Sequence, residues 1–271
     1  MSPIPAKIWQ ILLPERPEQD TRLPNPAGPG EAQSWTSLNP NHTYTLLDQH
    51  NASAFVRSHF SHTNPDLVKL YLALPDVRMK SDLLRYLVLD IEGGVYSDLD
   101  TVALKPISDW IPPSMHNATK LVVGIVASSR DGARWANTTQ PAQFCQWMIA
   151  AAPGHPAFRK MIERVQKSMA ELSESYRLPV VELNPTRDEI MNSTGSAAWT
   201  EVVLEVLQGY GEALKSRKDL ALLTEPRLIG DILVLPPDAL SLGLDHSNTT
   251  SHASRPEAAL VEHLSPGTRR T

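Results

Sequence analysis

A chain of 271 residues, 41% hydrophobic and 20% charged, is long enough to bury a sizeable core and too apolar for wholesale disorder. Its formal net charge of −5, with no long Lys/Arg run, excludes nucleic acid as the main partner, because phosphate backbones need a basic surface. The lone Cys145 cannot form an internal disulfide and reads as a small buried hydrophobe.

In chain order, residues 4–13 are β-branched and aromatic enough for a first strand. Pro14, Pro17, Pro24, Pro26 and Pro29, with Gly28 and Gly30, make 14–30 a surface loop. Thr43–Leu47 reads as a second strand and Ala52–Phe60 as a short helix. From Lys80 the period changes: Leu83, Leu84, Leu87, Val88 and Ile91 share one helical face, while Asp82, Arg85 and Leu89 lie on another. Gly93-Gly94 stops that helix, since glycine adopts left-handed backbone cheaply.

A strand then starts at Val95. Alternation turns Tyr96, Asp98 and Asp100 to one face and Val95 and Leu99 to the other, with the two carboxylates roughly 7 Å apart. Further strands are expected at Leu121–Ala127 and Ile232–Leu235. Helices are expected over Gln143–Ala152, Ala157–Glu174 and Trp199–Lys218, and a mobile polar loop over 245–258. Strands interleaved with helices, and no internal repeat, predict one α/β domain spanning 1–271.

The chemistry concentrates around residues 82–100. Taken alone, an Asp-X-Asp is commonly a solvated turn. Here it ends a strand after a capped helix, at the edge where α/β folds gather ligands. Asp98 and Asp100 offer hard oxygens suited to Mg²⁺ or Mn²⁺, which typically bridge carboxylates to substrate phosphates. Asp82 and Arg85 form either a helix-face ion pair worth about a few tenths of a kcal/mol or a pair of ligand contacts. His263 is either a late metal ligand or an exposed side chain. Trp35, Trp147 and Trp199 read as core, whereas Trp9 is placed to stack on a base. Asp98-Leu99-Asp100-Thr101-Val102 also fits the signature of haloacid-dehalogenase-type phosphatases. The glycines and Ser97 before it, and an Asp231 without an acidic neighbour, argue against that family.

No stretch reaches the roughly 20 apolar residues that span a bilayer, and Ile11-Leu12-Leu13 is too short for a signal-peptide core. The chain as given is therefore expected to lack a membrane anchor. Asn41, Asn51, Asn117, Asn137, Asn192 and Asn248 each head an Asn-X-Ser/Thr triplet, where chance gives roughly one or two. The excess favours a secretory-pathway lumen, with the cytoplasm as alternative.

Two blocks, Met79-Lys80-Ser81-Asp82-Leu83-Leu84-Arg85-Tyr86 and Gly93-Gly94-Val95-Tyr96-Ser97-Asp98-Leu99-Asp100-Thr101, resemble the donor-site signature of DXD-type glycosyltransferase family 32. Ile4–Gln10, Gln143–Trp147, Pro153–Pro156, Thr194–Thr200 and Leu233–Pro237 are similar to its branch of fungal initiation-specific α-1,6-mannosyltransferases. The resemblance implies a GT-A fold with a mixed, mainly parallel sheet flanked by helices. It further implies a GDP-mannose donor, Mn²⁺ (or Mg²⁺), a glycan or glycolipid acceptor, retention of the α configuration and residence in the Golgi lumen.

Carried over by resemblance, Asp98 and Asp100 bind metal and diphosphate, and His263 completes the metal shell. Asp82 and Arg85 contact the donor sugar, Arg85 also neutralising the departing diphosphate; Tyr96 lines the donor site and Trp9 lies near the base. The sequence departs from the family pattern at Val126-Ala127-Ser128-Ser129, where acidic residues are usual, and at Gly267-Thr268-Arg269, where the family closes with Gly-Ser-Trp. Two other readings follow: a sphingolipid or small-metabolite glycosyltransferase, and a lumenal binding protein that has lost transfer.

Overall fold

The computed structural model describes residues 3–13, 31–128, 142–211, 220, 223–240 and 257–264. The expectations for 14–30, for 245–256, for the helix end near Lys218 and for Gly267-Thr268-Arg269 lie outside them.

The chain opens with strand β1 (Lys7–Ile11), helix α1 (Glu31–Leu38) and strand β2 (Thr43–Leu47), followed by helices α2 (Gln49–Phe60), α3 (Pro65–Ala73) and α4 (Val77–Ile91). Strands β3 (Gly94–Ser97), β4 (Thr101–Ala103), β5 (Leu121–Ser128), β6 (Ala142–Phe144) and β7 (Met148–Ala151) come next. Helices α5 (Pro156–Tyr176), α6 (Arg187–Ser193) and α7 (Ser196–Gly209) precede β8 (Arg227–Ile229), β9 (Ile232–Leu235) and β10 (Val261–His263).

The eight-stranded sheet has the order β2-β1-β3-β7-β5-β9-β8, with β6 paired to β5. β1, β2, β3, β5 and β9 run one way and β6, β7 and β8 the other, so the sheet is mixed and mainly parallel, as expected. The carboxyl ends of β1, β3, β5 and β9 therefore share one edge.

Period-two alternation decides which face each strand residue buries. Trp9, Tyr96, Val123, Ile149 and Val234 pack into one core with α4, α5 and α7. Ile8, Val95, Val122, Met148 and Leu233 face a second core with Trp35, Trp110 and Leu260. Both faces are covered, which is why β5, β7 and β9 read as nearly continuous apolar runs.

The helix expected over Gln143–Ala152 is instead two strands, β6 and β7. The short apolar run Met148–Ala152 carries no period that separates a buried strand from a buried helix. Here β3 and β5 hydrogen-bond both sides of β7. Helix ends follow local chemistry: Thr186 and Glu189 form a capping box for α6, and His155 caps α5 with Pro156 in its first turn.

Candidate active site

The site begins at the turn that ends α4. Gly93 has φ +61° and Gly94 φ +101°. A Cβ on Gly93 would sit 2.8 Å from the Ala151 carbonyl oxygen, and one on Gly94 2.7 Å from that of Lys7. Only glycine lets the chain leave the helix and enter the sheet between β1 and β7 at once. Trp9 Nε1 donates to the Gly93 carbonyl at 2.9 Å. Trp9 thus lies mid-strand and buried, bracing this turn.

β3 stops at Ser97, and Leu99-Asp100 turn the chain into β4. The extended strand expected through Asp100 does not form. The Thr101 hydroxyl donates to the Asp98 carbonyl at 2.6 Å, and Gln10 Nε2 donates to the same oxygen at 3.0 Å. These bonds fold the backbone back on itself. Instead of facing one way along a strand, Asp98 and Asp100 curl toward each other and toward His263, and ligand atoms of all three lie within 4.8 Å of one another.

Asp98 is held from below. Its Oδ1 accepts from the Tyr96 hydroxyl at 2.5 Å and from Arg85 Nη1 at 3.1 Å, while the guanidinium carbon stands 4.6 Å from the centre of the Tyr96 ring. Arg85 Nη1 also donates to the Gln146 carbonyl at 3.1 Å, Nη2 pairs with Asp82 at 3.1 Å, and Nε reaches the Ser81 carbonyl. Every guanidinium nitrogen therefore has a protein acceptor. In this geometry Arg85 positions Asp98 and the 146 carbonyl.

Asp82 in turn accepts from Gln146 Nε2 at 3.0 Å and from the Thr194 hydroxyl at 2.9 Å. Burial pushes its carboxyl up to about 6, against the opposing pull of Arg85 and Thr194. Burial also works against the charge on Arg85, but Tyr96, Asp98 and Asp82 around it outweigh that and hold the guanidinium above its ordinary range. Burial drives the Tyr96 phenol far up, so it remains a neutral donor to Asp98.

His263 arrives from the far end of the chain. β10 pairs antiparallel with β4, setting His263 opposite Thr101, and Leu264 N donates to the Asp100 carbonyl at 2.7 Å. The imidazole packs edge-on against Trp147 at 5.1 Å, with Nε2 3.5 Å from Asp100 Oδ1. Its Nδ1 is buried without a hydrogen-bond partner. Two carboxylates and an imidazole with an orphaned ring nitrogen fit a divalent cation such as Mn²⁺ or Mg²⁺.

Gln10, Gln146 and Thr194 complete this network, and no local rule singled them out. Their only signal was membership of the segments 4–10, 143–147 and 194–200 that carry the resemblance.

The family model described as "Glycosyltransferase sugar-binding region containing DXD motif" matches residues 30–116, the span holding Asp82, Arg85, Tyr96, Asp98 and Asp100. The chain is 32% identical over 272 residues to the initiation-specific alpha-1,6-mannosyltransferase of Candida albicans, covering 91% of this chain and 69% of that protein. It belongs to the DXD glycosyltransferase family. The enzyme of the same name in Schizosaccharomyces pombe is 34% identical over 237 residues, 86% of this chain, and the chain spans 57% of its length. Among solved structures, the PaToxG glycosyltransferase superposes with a TM-score of 0.50 at 16% identity, over 83% of this chain and 81% of that one, which establishes the glycosyltransferase fold. The acidic pair is thus the DXD motif of the family, and its neighbours are the frame that holds it.

Proposed function

We propose that this chain is a metal-dependent, configuration-retaining glycosyltransferase that passes mannose from GDP-mannose to a glycan acceptor in the Golgi lumen, acting as one domain. The observation that carries this reading is the convergence of Asp98, Asp100 and His263 within 4.8 Å above a buried, fully bonded Arg85. The family supports a nucleotide-sugar donor and a glycan acceptor; the two fungal relatives named as mannosyltransferases support mannose. Among the described residues no helix is long and apolar enough to cross a membrane, so the compartment rests on the Asn-X-Ser/Thr triplets and the relatives.

Asp98, Asp100 and His263 would hold the cation, which when bound supplies Lewis-acid neutralisation of a diphosphate leaving group. The remaining chemistry belongs to the side chains. Tyr96 and Arg85 fix Asp98 Oδ1, so its carboxylate is preorganised and does not reorient as charge develops. Asp82, Gln146 and Thr194 form the wall beside Arg85, where the donor sugar would lie. Both Asp82 oxygens carry hydrogen bonds, which favours direct same-face attack by the acceptor hydroxyl over a covalent sugar intermediate on Asp82. That route keeps the α configuration.

Hydrolysis and transfer from GDP-mannose, measured with and without Mn²⁺, test the reading. Asp98→Asn combined with Asp100→Asn is expected to lower turnover at least ~10³-fold, the scale of losing preorganised charge stabilisation. Metal-dependent transfer that survives in the double variant overturns the assignment. A wild-type chain that binds the donor but never turns it over instead identifies a binding protein.

A further inference from the structure

One buried polar group near this site has no role in the network described above. Gln143, in β6, is 8% exposed. Its Nε2 donates to Ser196 Oγ at 2.7 Å, and its Oε1 is buried with no hydrogen-bond partner. Exchanging the two ends of the amide does not cure this, because Ser196 satisfies one end and the other is then left over. A buried polar atom left unpaired is costly and calls for an explanation.

Ser196 is the first residue of α7, a helix whose N-cap is Gly195 and which has no side-chain cap. The first backbone N–H groups of a helix have no acceptor within it, and the bond from Gln143 Nε2 to Ser196 Oγ ties the amide to this helix start. Gly195 is fixed in place: a Cβ there would meet Met191 Cα at 2.8 Å. A buried acceptor without a partner, on an amide bonded to a helix start whose first N–H groups lack intrahelical acceptors, suits a group that both donates and accepts, and a sugar hydroxyl is such a group.

The surroundings tie Gln143 to the donor site from two directions. Thr194, two residues before Ser196, bonds Asp82. Gln146, three residues after Gln143, bonds Asp82 as well, and its carbonyl holds Arg85. Three residues reach at most about 11 Å, a span that a short run of sugar rings bridges. Between them, the Cys145 carbonyl accepts from Trp199 Nε1 at 3.1 Å, which pins the β6–β7 connection to α7.

We propose that Gln143 and the first turn of α7 bind a hydroxyl of a substrate sugar and contribute to sugar specificity, an inference that rests on the glycosyltransferase reading above. The sugar is either that of the donor or the terminal residue of the acceptor; the chemistry recognised is the same.

The test compares wild type with Gln143→Leu, which keeps the bulk and removes the amide. GDP, GDP-mannose and an oligomannose acceptor are the probes, all with Mn²⁺. GDP affinity is expected to stay within about twofold. Either GDP-mannose affinity or the acceptor KM is expected to worsen about tenfold, the scale of one hydrogen bond left unmade; the first outcome assigns Gln143 to the donor sugar and the second to the acceptor. The melting temperature of the ligand-free variant should hold or rise, because an unpaired buried oxygen is gone. The inference is overturned if both sugar parameters stay within about twofold. It is equally overturned if GDP affinity and melting temperature fall together, the signature of a packing residue. A wild-type chain without Mn²⁺-dependent GDP-mannose binding overturns the glycosyltransferase reading itself before any variant is compared.

Discussion

Two clusters of similar composition stand at opposite edges of the sheet. At the carboxyl edge, Arg85 ties together Asp82 and Asp98, with Asp100 and His263 beyond. At the other edge, ahead of β5 and β9, Asp231 gathers Tyr210 at 2.5 Å, His155 at 3.3 Å and Lys120 at 3.3 Å. The second cluster closes on itself. His155 Nδ1 accepts from Ala157 N at 3.3 Å, so Nε2 carries the proton and donates to Asp231. The first cluster leaves His263 Nδ1 buried without a partner. Charge and burial alone do not distinguish a site from a brace. What separates these two is the ring nitrogen that no protein group satisfies, present at His263 and absent at His155, whose two nitrogens are both bonded.

Removing the central cation should separate the two most strongly. Arg85→Leu strands two carboxylates and is expected to cost about 3–5 kcal/mol, read by urea unfolding. Lys120→Ala removes a 56% exposed partner of Asp231 and should cost about 1 kcal/mol or less. Equal losses would erase the distinction.

Metal titration gives the next largest contrast. His263→Ala should raise the Mn²⁺ concentration for half-maximal thermal stabilisation at least about 10- to 100-fold, the range that losing even an outer-shell partner of a metal ligand costs. His155→Asn should leave it unchanged, although both residues face an aspartate. A shift in the His155 variant would break the assignment of the metal to the carboxyl edge.

The finest contrast is the sign of the pH dependence. Burial holds His155 below its ordinary 6.5 despite Asp231, so its contribution to stability is full above 6.5 and is lost as pH falls through the lower folded value. Burial would raise Asp231, but bonds from Tyr210, Lys120 and His155 outweigh it and hold the carboxyl below 3.8; its contribution is likewise lost on acidification. Asp82 is the reverse. Its carboxyl is raised from 3.8 to about 6, so its contribution is full below 3.8 and is lost as pH rises through about 6. Melting temperatures across pH 4–7 should therefore fall more steeply toward acid in Asp82→Asn than in wild type, and less steeply in His155→Asn. Parallel shifts in both variants would refute the opposed environments.

What the sequence determined by itself was local. The helix face of Leu83, Leu84 and Leu87, the glycine stop at Gly93-Gly94 and the strand entering at Val95 all follow from periodicity and backbone preference, and these physical rules act over a few residues. The acidic pair was legible because a short motif carries its own chemistry, and the family resemblance gave it a role. Tertiary structure decided the rest. It made two strands within the run from Gln143 to Ala152, because a largely buried segment takes its conformation from the neighbours that bond it. It bent Asp98 and Asp100 together through Thr101 and Gln10, brought His263 to Asp100 by pairing β10 with β4, and set Gln146 and Thr194 on Asp82. Such convergence depends on pairings between residues far apart in the chain, and no local pattern encodes which distant partner a strand or a carboxylate will meet.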